Sequence, residues 1–225
     1  MGTYHFTWRV VEDNLPQLLR GLVITLEISA VGMIFALLFG LILATMRMSQ
    51  YRAISSISYS IIQVSRSVPL FVLLFWIYYG LSLKFGIKFS EFQAGAIALG
   101  ITGGAYMAEI FRGGINAVDF GQHEAALAIG LTPFNASRLV VLPQAIKIVI
   151  PQAVNVYVGL LKGATIVSVI GVADMIYVAQ YVSLQTFRPF ELYTFAGLVF
   201  ISLTLSIAGF AWLLEKKLSN GRVHD

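Results

Sequence analysis

The sequence predicts an all-α membrane protein with five transmembrane helices, its N-terminus outside and its C-terminus inside, and a cytoplasmic two-helix elbow between spans 3 and 4. Three observations carry that prediction. Apolar residues make up 58% of the 225-residue chain and its mean hydropathy is +0.82, above the roughly 45–50% apolar usage of soluble domains. Uncharged runs such as Ile28 to Met46 and Leu192 to Leu214 reach the ~20 residues that a helix needs to cross a bilayer. Between two such hydrophobic segments lies a polar-edged insertion, Gly121 to Pro143, GQHEAALAIGLTPFNASRLVVLP.

The chain reads as one transmembrane domain over residues 1–225. Met1 to Leu22 contains Glu12, Asp13, Pro16 and Arg20, which is no cleavable signal pattern, so the first span is expected to act as its own insertion signal. The absence of cysteine excludes disulfides and thiolate metal sites. His5, His123 and His224 share no metal-ligand spacing, and no metal is expected. The net charge of +4 is explained by charges flanking membrane spans rather than by nucleic-acid binding.

Residues 1–19 are mixed and polar, with Tyr4 and Trp8 among them, and suit a short interfacial segment. The first span covers about 22–46 and ends at Arg47 and Arg52, a basic loop that the positive-inside rule places in the cytoplasm. The second covers about 54–81, longer than a bilayer needs, so Ser55 to Ser67 is expected to pack on protein or lie near the interface, with a kink at Pro69. Lys84 and Lys88 mark an external turn. The third span, about 92–111, carries Gly100-x-x-x-Gly104, which permits close helix approach. The fourth covers about 148–170 with Pro151 near its start. An external segment from Gly171 to Pro189 leads to the fifth span, about 192–214, which ends at Glu215-Lys216-Lys217. Arg47, Arg52, Arg112, Arg138, Lys147, Lys216, Lys217 and Arg222 then lie inside, against Arg9, Arg20, Lys84, Lys88 and Arg188 outside.

The elbow, 121–143, reads as two short helices with a hinge. Glu124 to Ile129 favours helix, Gly130 suits a C-terminal cap, and Thr132-Pro133 supplies an N-cap followed by proline at the first helical position. Glu124-Ala125-Ala126, three residues, Gly130, nine residues, then Val140-Val141-Leu142-Pro143 resembles the EAA loop of ABC-importer permeases, with Val140 where isoleucine is usual.

Ionisable groups within spans default to functional candidates, and here they are Glu27, Arg66, Glu109 and Lys162. Glu27, near the outer end of its span, is read as structural. Thr102, Tyr106, Glu109 and Gly113 share one helix face by their spacing, as do Gln152, Asn155, Gly159, Lys162 and Gly163. Ser60, Gln63 and Ser67 form a weaker stripe beside Arg66. Such faces point to a bundle interior or an aqueous path, because lipid leaves polar groups unsatisfied. Thr102, Tyr106, Glu109, Asn155, Lys162 and Arg66 are therefore the candidate path residues. In the competing structural reading, Glu109, Arg66 and Lys162 pair with one another or cap carbonyls.

Arg66 to Leu70, Ala105 to Ile115 and Val167 to Gly171 are similar to segments of the polar amino-acid uptake permeases, the histidine, glutamine and arginine importer group, and with the elbow the similarity runs from about Gly21 to Leu214. One departure matters. Where that group commonly has a Lys-Asp-Thr-Ser type run, this chain has Lys162-Gly163-Ala164-Thr165, so the substrate does not carry over. The resemblance implies a permease subunit of an ATP-driven importer in a bacterial cytoplasmic membrane, passing a polar amino acid or related small zwitterion. It also implies a second permease subunit, identical or related, partner ABC ATPase subunits that hold ATP and Mg, and an extracytoplasmic solute-binding protein. Glu124, Ala125, Ala126, Gly130, Leu142 and Pro143 would then be the ATPase-coupling residues. The chain contains no P-loop run ending in Gly-Lys-Ser/Thr, so it is expected to be a transport subunit, not an enzyme, with no cofactor of its own. An ion-coupled secondary carrier or channel using Glu109 and Lys162, or a non-transporting sensor or assembly factor, are the other classes. Neither calls for a glycine-hinged elbow, and no internal repeat supports a carrier.

Overall fold

The computed structural model describes residues 4–219, so Arg222 and His224 lie outside the described residues. Among the described residues eight helices, counting continuous ones once, follow in order: α1 Arg9–Arg47, α2 Arg52–Ser67, α3 Leu70–Phe85, α4 Glu91–Asn116, α5 Phe120–Ala128, α6 Pro133–Ile170, α7 Met175–Thr186 and α8 Pro189–Ser219. α1, α4, α6 and α8 are each long and apolar enough to cross a bilayer, and α2 with α3 forms a broken pair bent by 103°.

The centre of the bundle is the seam between α1 and α4. Gly95 faces Ile28, Gly32 faces Leu99, Gly103 faces Ala36 and Gly40 faces Met107, so the contacts advance along both helices together and the two run parallel. A Cβ added at Gly40 would lie 2.6 Å from the Met107 Cβ, and one at Gly100 2.5 Å from the Phe35 Cβ. No side chain fits there, which is the close approach that Gly100-x-x-x-Gly104 announces. Apolar association inside a bilayer rests on van der Waals packing of this kind, since lipid tails are as apolar as leucine.

Parallel α1 and α4 have a topological consequence. Residues 48–90 must carry the chain back across the membrane, and α2 with α3 makes that return as one bent crossing. The bend at Val68-Pro69 replaces the kink expected at Pro69. Val68 and Pro69 both adopt extended backbone, as the residue before a proline prefers, and the helix stops instead of bending. α2 turns Ser58, Ile62 and Ser65 inward. The Ser58 hydroxyl donates to the Leu43 carbonyl at 2.7 Å, and Ile62 packs with Leu43 and Ala108.

α1 differs from expectation at its start. Within the described residues no break separates the expected interfacial segment from the span: from Arg9 onward one helix of 39 residues runs through Pro16 to Arg47, about 58 Å at 1.5 Å per residue. Its first turns are held by protein, with Val11 and Leu18 packed against Ala179, Val182 and Leu192 of α7 and α8. Buried contact overrides the proline signal.

α6 runs antiparallel to α4, with Val149 against Gly114, Leu160 against Gly103 and Val167 against Gly95. It closes the core of Ile28, Leu74, Leu99, Met107, Leu160 and Val167. Its wide turn at Ser137–Val141 accommodates Pro143, which has no N–H for the ordinary helical bond and whose ring crowds the preceding turn. Gly171 (φ +97°) ends α6, and the chain enters α7 through Asp174, whose carboxylate accepts from the Tyr177 N–H at 2.9 Å.

Candidate functional site

α4 and α6 bring their polar stripes face to face. Between them is a cavity of about 500 Å³ lined by Leu70, Leu99, Thr102, Gly103, Tyr106, Ile110, Gln152, Asn155, Val156, Gly159 and Leu160. Thr102 and Tyr106 come from α4, Gln152, Asn155 and Gly159 from α6, and Leu70 from the start of α3. Antiparallel register explains the meeting, because residues one turn apart on each helix rise on the same face in opposite directions. The Thr102 hydroxyl is buried without a hydrogen-bond partner among the described residues, an orphaned polar group on the cavity wall.

None of the three ionisable candidates lines this cavity, and among the described residues they do not join one another. Glu109, one turn beyond Tyr106, accepts from both Nε and Nη2 of Arg112, the latter at 2.6 Å. Its partner is thus a neighbour on its own helix. The Arg66 guanidinium lies over the Tyr106 ring, 5.1 Å from the centroid, a cation–π contact that ties the end of α2 to the cavity wall. Lys162 is exposed on the last turn of the α-helical part of α6, and its carbonyl accepts from the Thr165 hydroxyl at 2.7 Å. Gln152 and Gly159, stripe members by their spacing, also line the cavity. The contribution of Leu70 and Leu99 has no signal in the sequence, because no periodicity within one helix reveals the wall supplied by another.

The elbow forms as its capping residues dictate. α5 begins at Asp119, which accepts from the Gly121 N–H at 2.6 Å, and ends in a left-handed residue, Gly130 at φ +88°. The Leu131 N–H donates to the Ala126 carbonyl at 3.1 Å and the Gly130 N–H to the Leu127 carbonyl at 2.9 Å. This pair of bonds is a Schellman cap, which needs glycine at the left-handed position. Thr132 accepts from the Asn135 N–H at 3.3 Å with Pro133 at the first helical position. One correction follows: the second limb of the elbow is not a separate short helix, since Pro133 to Ile170 is continuous. Leu142 and Pro143 sit inside it.

Glu124 and Ala125 are exposed, Ala126 is buried, and the Gln144 side chain donates to Gln122 at 3.3 Å, bracing α5 against the base of α6. Around them Phe120, Ile129 and Phe134 stand 72%, 81% and 69% exposed. Ile129 and Phe134 flank the Schellman turn and Phe120 begins α5, so the elbow presents large apolar side chains at both ends of its first helix, which marks it as a contact surface.

Comparison with known proteins agrees with this geometry. Residues 36–220 match the family described as the binding-protein-dependent transport system inner membrane component. A putative glutamine transport system permease protein of Rickettsia conorii is 37% identical, covering 89% of this chain and 92% of the relative. An arginine transport system permease protein of Bacillus subtilis is 35% identical over 92% of this chain and 94% of its own length. Among solved structures, an amino acid ABC transporter crystallised with histidines superposes with a TM-score of 0.89 at 38% identity, covering 95% of this chain and all of that one. An inward-facing methionine ABC transporter shares the fold, with a TM-score of 0.78 at 19% identity. This chain is therefore a multi-pass inner-membrane permease and belongs to the inner-membrane component family of binding-protein-dependent transport systems.

Proposed function

We propose that this chain forms the translocation path of an ATP-driven importer for a polar amino acid or related small zwitterion and couples that path to a separate ATPase. One observation carries the coupling: α6 holds both the second limb of the elbow and the cavity residues Gln152, Asn155 and Gly159. From Pro133 to Asn155 is about 33 Å of continuous helix at 1.5 Å per residue. A displacement imposed on the elbow is thus transmitted to the cavity wall as a rigid-body motion.

In this reading the N-terminus is outside, the elbow and C-terminus face the cytoplasm, and residues 1–225 act as one transmembrane domain in lipid. α5 seats in a groove of the ATPase, where Phe120, Ile129 and Phe134 bury apolar surface and Glu124 meets a cationic or hydrogen-bonding group. Ala125 and Ala126 keep the helix slim, Gly130 holds the sharp cap, and Leu142 with Pro143 sets the base of α6. ATP and Mg reside on that partner. A second permease subunit, identical or related, completes the path, and an extracytoplasmic binding protein delivers the solute. Thr102, Tyr106 and Asn155 contact it, while Arg66, Glu109 and Lys162 set the charge around it.

The test is coupled transport. The assembly, purified with its ATPase and binding protein and placed in proteoliposomes, is expected to take up an amino acid only with ATP. Glu124→Lys and Gly130→Pro are expected to insert normally yet separate hydrolysis from uptake. Unchanged coupled uptake in both variants would remove the lever role, and uptake driven by an ion gradient without any ATPase would replace the proposal with a carrier.

A further inference from the structure

The turn between α3 and α4, at the end of α4 away from the elbow, reads Leu83-Lys84-Phe85-Gly86-Ile87-Lys88-Phe89. Its backbone is fixed at both ends: Gly86 at φ +70° caps α3, and the Ser90 hydroxyl opens α4 by accepting from the Gln93 N–H at 3.2 Å. Leu83, Phe85 and Ile87 nevertheless stand 86%, 63% and 48% exposed, and Lys84 and Lys88 are exposed between them. Among the described residues neither lysine has a carboxylate partner. Glu91, the carboxylate nearest in sequence, accepts instead from the Tyr78 hydroxyl at 2.8 Å.

Depth decides what covers these side chains. The run from Phe92 to Phe111 spans about 30 Å at 1.5 Å per residue, the thickness of the hydrocarbon core, and Arg112 follows at its far end. Glu91 therefore lies at the membrane boundary, with the turn in the headgroup layer of about 5–7 Å beyond it. Tilt of α4 only draws the turn deeper. One and two turns before Leu83, α3 also exposes Tyr79 and Trp76, residue types that gather at this boundary.

We infer that the α3–α4 turn is a binding site for an anionic phospholipid, with Lys84 and Lys88 holding the headgroup phosphate and Leu83, Phe85 and Ile87 lying against its glycerol and acyl ends. The two ammonium groups find no countercharge within the chain, and a lipid phosphate sits at their own depth. Their apolar stems cover the lipid while the charged heads reach the phosphate. Apolar burial and attraction to an anionic surface then act together. Phosphatidylcholine offers a phosphate too, but its choline offsets the charge, so phosphatidylglycerol is preferred. This placement rests on the membrane position of the turn and not on the importer reading.

The sequence has no cysteine, so Ile87→Cys takes a single nitroxide label in the full chain in nanodiscs. Electron paramagnetic resonance compares collisions of the label with oxygen, which concentrates in lipid, and with a water-soluble nickel chelate. In phosphatidylcholine discs titrated with phosphatidylglycerol, the label is expected at headgroup depth and to lose mobility as the anionic lipid binds. Lys84→Gln with Lys88→Gln is expected to raise the half-point of that titration on the order of tenfold, and Lys84→Arg with Lys88→Arg to leave it unchanged. A label that collides more with the chelate in every lipid would place the turn in water and assign it to a soluble partner. No response to phosphatidylglycerol, or an equal half-point in the glutamine variant, overturns the site. Inorganic phosphate that reproduces the response in phosphatidylcholine discs would replace the lipid by a free anion.

Discussion

Gly40→Ala is the most direct test of the α1–α4 seam. The added methyl would sit 2.6 Å from the Met107 Cβ, 2.9 Å from the Gly104 carbonyl oxygen and 3.1 Å from the Ala108 nitrogen. Two of these three are backbone atoms, and the third is a Cβ fixed to its backbone, so the clash is relieved only by separating the helices. Overpacking of this sort costs about 1–3 kcal/mol, against a helix-propensity gain of about 0.5–1 kcal/mol for replacing glycine by alanine. The net loss is about 1–2 kcal/mol, roughly a 5–30-fold fall in the folded-to-unfolded ratio. Gly113→Ala on α4 is the control, because nothing lies within 4 Å of the Cβ it would add, and only the propensity gain remains. Both variants would be unfolded with sodium dodecyl sulfate in mixed micelles and followed by far-UV circular dichroism. Gly40→Ala is expected to unfold at lower detergent fraction than wild type and Gly113→Ala at equal or higher fraction. Equal midpoints for the two variants would refute the parallel close-packed seam.

Other outcomes follow from the same structure. Asp174 is fully buried with one carboxylate oxygen unpartnered among the described residues, and burial pushes its carboxyl up to about 6 from 3.8. Folding therefore favours the protonated form, a contribution complete below pH 3.8 and lost as pH rises through 6. Stability of the purified protein is expected to drop by an amount on the order of 3 kcal/mol over that interval, and Asp174→Asn to flatten the dependence; an unchanged pH profile in Asp174→Asn would assign the effect elsewhere. Glu191 is fully buried and accepts from the Thr7 N–H, the Tyr4 hydroxyl and Arg188. Glu191→Ala strands those donors and is expected to lower stability and to make residues 4–8 susceptible to protease, whereas equal proteolysis of mutant and wild type would contradict that anchoring of residues 4–8 by Glu191. Gly130→Ala keeps the elbow sequence but forces a side chain into φ +88°, a penalty of about 1–2 kcal/mol that is expected to appear as weaker ATPase co-purification with insertion unchanged. Glu109→Gln breaks a pair whose members are 25% and 37% exposed, so its effect on stability is expected to stay below about 1 kcal/mol.

The sequence by itself determined the membrane class, the long helices and the chemistry of the elbow, because each rests on local physics. An uncharged run of bilayer length, a glycine required at a left-handed position and a threonine-proline pair at a helix start act through residues adjacent in the chain. The polar stripes were legible too, since helical periodicity alone places Thr102 with Tyr106 and Gln152 with Asn155. Tertiary structure decided what faces what. That α1 and α4 run parallel, that α2 and α3 bend by 103° to return the chain, and that Glu109 pairs with Arg112 while Arg66 lies on Tyr106 all depend on contacts between distant segments. Pro16 and Pro143 show the limit most plainly. Each is a breaker by its covalent geometry, yet the helix continues through both, because the contacts of Val11 and Leu18 hold the first in line and a wide turn before Pro143 absorbs the missing bond. A local signal names a conformational preference of a kcal/mol or a few, and packing over the whole helix outweighs it.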